Sequence, residues 1–144
     1  MNPFHQIALD DILLQQPPFR FVDSLEACTE DEGTVSFTPG PGNLLMENGC
    51  LCAAGLIEHM AQANAAREGY VSKYIRHIDM GIGYIGQVRN FSYKRLPREG
   101  ERLTTTVKLR YEMFNVCLCD VEVRSGEELL ASANLKTALK DDEG

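Results

Sequence analysis

The sequence has no tryptophan, only three histidines, and no apolar run approaching the ~20 residues that span a bilayer. The histidines, His5, His59 and His77, lack metal-ligand spacing, and no G-x-S-x-G exists on which to build a serine hydrolase. Positive charge is also short: 14 Lys and Arg face 21 Asp and Glu, a net charge of -7. A nucleic-acid binder needs a cationic surface to displace counterions from phosphate, so that class is set aside. Met1 to Asp10 have neither a basic start nor a continuous apolar run, so they do not read as an export signal. Five cysteines, an odd number, then argue against a disulfide framework and for thiols in a reducing cytoplasm.

What is present fits one α+β domain over residues 1–144, closed by an acidic tail at about 140–144. Asp10-Asp11 before Ile12-Leu13-Leu14 predicts a short helix, stopped by Pro17-Pro18. Strands are expected at Phe19–Leu25 and Thr34–Phe37, joined by a turn at Glu30–Gly33. Pro39-Gly40-Pro41-Gly42-Asn43 opens a long loop running to Cys52. A helix follows from Gly55 to Glu68, with Gly69 as its expected cap. Beyond it, extended signals at 88–95, 103–111, 116–123 and 129–139 give an antiparallel series. The helix is rich in alanine, which suits a backbone packed closely against a sheet.

Several patterns invite chemistry and have plainer readings. Gly81-Ile82-Gly83-Tyr84-Ile85-Gly86 matches G-x-G-x-x-G, but a strand rather than a helix follows it, so the glycines read as close-approach positions against backbone or ligand. Cys50-x-Cys52 and Cys117-x-Cys119 read as structural thiols, because zinc sites favour C-x₂-C spacing. Between Arg67 and Arg98 a local excess of five positive charges leaves -12 for the rest, so this segment is a candidate docking site for an anionic partner. Glu58 stands out most. At 100° per residue it shares one narrow polar sector with His59 and Gln62, beside Gly55 and Ala66, on an otherwise apolar helix. A desolvated carboxylate there suits a general acid that protonates a leaving hydroxyl; the alternative is a structural bond to Gln62 or across a subunit interface.

Three segments carry a resemblance to a known family. Leu13-Leu14-Gln15-Gln16-Pro17-Pro18-Phe19-Arg20-Phe21-Val22-Asp23, Leu56-Ile57-Glu58-His59-Met60-Ala61-Gln62-Ala63 and Asn90–Glu101 resemble, in order and spacing, the β-hydroxyacyl-acyl carrier protein dehydratases. The resemblance implies a hotdog fold, a long central helix wrapped by a curved antiparallel sheet. It further implies a homodimer, or a higher oligomer of dimers, with an acyl tunnel at the interface and no cofactor beyond the phosphopantetheine of a carrier protein or of coenzyme A. In the implied reaction a histidine removes the C2 proton of a 3-hydroxyacyl thioester while a Glu or Asp from the partner subunit's helix protonates the departing C3 hydroxyl. Glu58 matches that acid, Gln62, Gly55, Gly83 and Gly86 fall where substrate would bind, and Arg67, Lys73, Arg76, Lys94, Arg95 and Arg98 are candidates for carrier docking. The histidine belongs 14 residues before the acid, where this chain has Leu44. His59 or His77 is therefore considered as a substitute, and a hotdog thioesterase and a silent acyl-binding partner subunit stand beside the dehydratase reading.

Overall fold

The computed structural model of the chain describes residues 1–78 and 83–139. A 3₁₀ turn, Leu9–Asp11, stands where a short helix through Ile12-Leu13-Leu14 was expected, and a second 3₁₀ turn, Pro3–Gln6, precedes it. Strands β1 (Ser24–Cys28) and β2 (Glu32–Phe37) form the first hairpin. Short strands β3 (Met46–Glu47) and β4 (Cys50–Leu51) lead into helix α1 (Ala53–Tyr70). Strands β5 (Gly83–Tyr93), β6 (Leu103–Met113), β7 (Val116–Ser125) and β8 (Glu128–Leu139) complete the chain. The large sheet is antiparallel in the order β1-β2-β6-β7-β8-β5, and α1 packs on β1, β2, β6 and β7. This is the hotdog architecture.

Alternation explains the sheet's inner face. Leu103, Thr105 and Val107 of β6 and Cys117, Cys119, Val121 and Val123 of β7 turn inward, against Leu56, Met60, Ala63 and Ala66 of the helix. Small residues let the layers close: a Cβ at Gly33 of β2 would lie 2.9 Å from Arg67 Cβ. Both cysteine pairs contribute thiols, with Cys117 and Cys119 buried and Cys50 and Cys52 half-buried.

Three expectations are corrected. The first strand starts at Ser24 rather than Phe19, because the backbone of Phe19 and Phe21 bonds to side chains of α1 instead of a neighbouring strand. The loop to Cys52 contains the β3–β4 hairpin, turned by Asn48 and Gly49 with φ of 53° and 76°. Gly69 does not stop the helix. It is buried, and the chain continues as a π-helical turn, Val71–Ile75, with the Val71 N–H on the carbonyls of Arg67 and Glu68. Gly81 and the acidic tail from residue 140 lie outside the described residues.

Candidate functional site

The polar sector of α1 faces the protein, and its members do different work. His59 is wholly buried, with Nδ1 2.7 Å from the Phe21 carbonyl and Nε2 2.7 Å from Thr105 Oγ1. A carbonyl only accepts, so Nδ1 carries the proton and Nε2 accepts from the Thr105 hydroxyl. Burial depresses the imidazole pKa to about 4, against a smaller opposing effect of the Phe21 bond. A neutral ring with both nitrogens engaged has no free lone pair for a substrate proton. His77, exposed beyond the far end of the helix, is no neighbour of Glu58 either. Within one chain, His59 is spent on structural bonds and His77 lies away from Glu58.

Gln62 is 1% exposed and its amide is fully used. Its Oε1 accepts from the Phe21 N–H at 2.6 Å, and its Nε2 donates to the Phe19 carbonyl at 2.9 Å and to Glu58 Oε1 at 2.8 Å. In this structure the amide's partners are all protein groups, and one of them is Glu58. Glu58 itself is half-buried rather than sunk in the core, one turn before Gln62. Nearby lies exposed Phe19, whose carbonyl shares the Gln62 amide with Glu58.

Gly55 also works by packing. A Cβ there would lie 2.6 Å from Leu51 Cδ1 and 3.0 Å from Leu45 Cβ, so only glycine lets the β3–β4 segment seat on the first turns of the helix. Leu44, the position matching the family's histidine, is exposed and adjoins Leu45 at this same end. Gly83 opens β5 opposite Leu139, and Gly86 lies exposed at an irregularity in the β5–β8 register. Two depressions, about 280 and 220 Å³, lie on the outer face of the sheet, and neither is lined by Glu58.

At the other end of the helix is a carboxylate that sequence reasoning passed over. Glu68 Oε1 accepts from Thr137 Oγ1 at 2.9 Å and Asn64 Nδ2 at 3.3 Å, with Arg67 Nη2 at 3.9 Å. Burial raises its pKa despite those partners. Arg67, expected at a docking surface, is 3% exposed; its Nη1 donates to the Glu30 carbonyl. The other cations do not form one patch. Lys73 pairs with Asp11 and Arg76 with Glu112 past the helix C-terminus, while Arg98 bridges to Cys50 just before its N-terminus, about 27 Å away along the helix. Arg95 is committed to Glu101 and Glu128, leaving Lys94 and Arg98 exposed, Arg98 beside Cys50 at the N-terminal end of the helix.

The coordinates resemble those of several solved proteins. The dehydratase heterocomplex ApeI:P of Xenorhabdus doucetiae gives a TM-score of 0.84 at 19% identity, over 94% of this chain and 93% of that one. A Streptococcus mutans protein bound to acetyl-CoA gives 0.68 at 13% identity, over 89% and 95%. A hypothetical thioesterase of Streptococcus pneumoniae gives 0.66 at 14% identity, over 82% and 90%. At such identities the likeness establishes the fold. No curated protein matches the sequence. The model of the ApeP-like family, described as ApeP dehydratase, matches residues 7–143. Nearly the whole chain is spanned by that match, and the protein belongs to the ApeP-like dehydratase family.

Proposed function

We propose that this chain is the acid-bearing half of a composite 3-hydroxyacyl-thioester dehydratase whose histidine comes from a second hotdog chain. One observation carries the reading: Glu58 stands half-exposed with Oε1 fixed, while neither the loop that should carry the base nor His59 offers it a free imidazole. Residues 39–52 contain none, and both nitrogens of His59 are engaged. Family membership supports the reaction type, and the heterocomplex of the Xenorhabdus relative supports a partner of similar fold.

Two surfaces suit that partner. Ile57, Ala61 and Ala65, on the same helix, are only half-buried; apart from them, β5 is an 11-residue strand at the edge of the sheet. In the proposed step the partner's histidine takes the C2 proton and the C2–H electron pair becomes the C2=C3 double bond. The C3–O bond breaks, and Glu58 protonates the departing oxygen to give water. The acyl group arrives on the phosphopantetheine of a carrier protein or of coenzyme A, with Lys94 and Arg98 the remaining candidates for docking an acidic carrier.

A second reading is a thioesterase, in which Glu58 activates water against the thioester carbonyl. A carboxylate without a histidine favours it, as does the likeness to the Streptococcus pneumoniae protein. The test is to incubate 3-hydroxyacyl and saturated acyl thioesters with this chain alone and with a histidine-bearing hotdog dehydratase subunit. Enoyl product formed only by the mixture supports the proposal. Full turnover by this chain alone, as a homodimer, overturns it, and release of free thiol establishes the thioesterase instead.

A further inference from the structure

Gln62 is held by two backbone groups of opposite kind, and this determines which oxygen of Glu58 can do chemistry. The Phe21 N–H can only donate and the Phe19 carbonyl can only accept. The amide must therefore point its oxygen at Phe21, 2.6 Å away, and its nitrogen at Phe19, 2.9 Å away. The second N–H then falls on Glu58 Oε1 at 2.8 Å. Flipping the amide would put donor against donor at Phe21 and acceptor against acceptor at Phe19, a cost Gln62 cannot relieve through water because it is buried. Phe21 is secured from its other side by His59 Nδ1 on its carbonyl at 2.7 Å, and its ring stacks on Phe37 with centroids 5.7 Å apart.

We propose that Gln62 is a positioning residue that keeps Glu58 Oε1 a permanent hydrogen-bond acceptor, so that Oε2 alone carries the proton given to the leaving hydroxyl. The inference rests on the reading of Glu58 as the acid. A proton on Oε1 would leave the Gln62 N–H only the weakly accepting hydroxyl oxygen, whereas a proton on Oε2 leaves it the strongly accepting carbonyl oxygen. As the C3–O bond breaks, the Oε2–H proton passes to the departing oxygen and water leaves. The charge left on Glu58 is stabilised by the same amide N–H, which was in place before the reaction. Segment Phe19–Phe21 thus acts as a strap: it orients the amide, and the amide orients the acid.

The experiment uses Gln62→Met, which keeps the length of the side chain and removes the amide, and Gln62→Glu, which keeps an oxygen for Phe21 and removes the donor. In protein labelled with ¹³C-glutamate, the Glu58 carboxyl signal is assigned by its loss in Glu58→Gln. The proposal predicts that this signal moves more than any other glutamate signal in both Gln62 variants. It also predicts that kcat of the complex with the histidine-bearing subunit falls on the order of ten- to a hundredfold while KM stays within about twofold, as for a misaligned reacting group. An unmoved Glu58 signal with kcat retained in the folded Gln62→Glu protein overturns the proposal. If the signal moves but Glu58→Gln keeps full turnover, the hydrogen bond stands and the reading of Glu58 as the acid is what fails.

Discussion

Helix α1 carries two carboxylates, Glu58 and Glu68, ten residues apart, and the more deeply buried is not the candidate acid. Glu68 is held by Thr137, Asn64 and Arg67, with its pKa raised by burial, at the edge of a small depression lined also by Val71, Arg76 and Glu112. Glu58 sits on the rim with a single amide bond to Oε1. Depth of burial and a perturbed pKa mark functional groups only when substrate can reach them. What separates the two is how they are held: Glu58 keeps one oriented bond, to Gln62, while Glu68 is shared among several partners and ties the helix to β8.

The first way to break this comparison is to neutralise each carboxylate in turn. Glu58→Gln is expected to lower dehydration by the complex by on the order of 10²- to 10⁴-fold, as for loss of a general acid. Glu68→Gln is expected to leave kcat within about threefold, because a neutral amide can still accept from Thr137. Turnover of 3-hydroxyacyl thioester measures both. The second is to empty the Glu68 end: Arg67→Ala removes the buried guanidinium and its bond to Glu30, with an expected loss of about 3 kcal/mol in urea unfolding.

A third prediction sets opposite pH slopes against each other. His59 titrates near 4 when folded and near 6.5 when unfolded, so between those values the unfolded chain binds the extra proton. Its contribution to stability is present above pH ~6.5 and is lost as pH falls toward 4, by about 3 kcal/mol in all. Glu68 runs the other way: its raised folded-state pKa means the folded chain holds the extra proton, so its contribution falls as pH rises through the folded-state pKa. His59→Gln should remove the first slope and Glu68→Gln the second, read from urea midpoints across pH 4 to 7. The smallest effect is expected at Gly33→Ala, whose methyl would meet Arg67 at 2.9 Å, with a loss of about 1–3 kcal/mol in the same unfolding experiment.

Much of the fold was legible because it rests on local pattern. The alternation of 103–111 and 129–139 and the alanine-rich run after Gly55 correspond to β6, β8 and α1. The errors fall where distant groups replace local ones. Phe19–Asp23 has strand-like composition, yet the Phe19 carbonyl and both backbone groups of Phe21 bond to Gln62 and His59 about 40 residues away, which no period in the segment reveals. Gly69 reads as a cap, but it is buried within a helix that continues past it. The Asn48-Gly49 pair was a visible hairpin signal, overlooked because strands of two residues show no alternation. At the site, the sector holding Glu58, His59 and Gln62 was found from spacing alone. That it faces inward, leaving Glu58 at its edge, depends on Phe21, Thr105 and Phe19, which lie far away in the sequence. Arg67 misled for a similar reason: a charged residue near a helix end reads as surface until Gly33 opens room for it beneath β2.

The most direct test is complementation in the mixed complex. This chain is paired with a histidine-bearing hotdog subunit whose own helix carboxylate has been changed to the amide, and separately Glu58→Gln is paired with the unaltered subunit. With Glu58 as the acid at a composite site, the first pair keeps dehydration within about twofold of the unaltered complex and the second loses on the order of 10² or more. Full turnover from the second pair, with none from the first, would contradict the account.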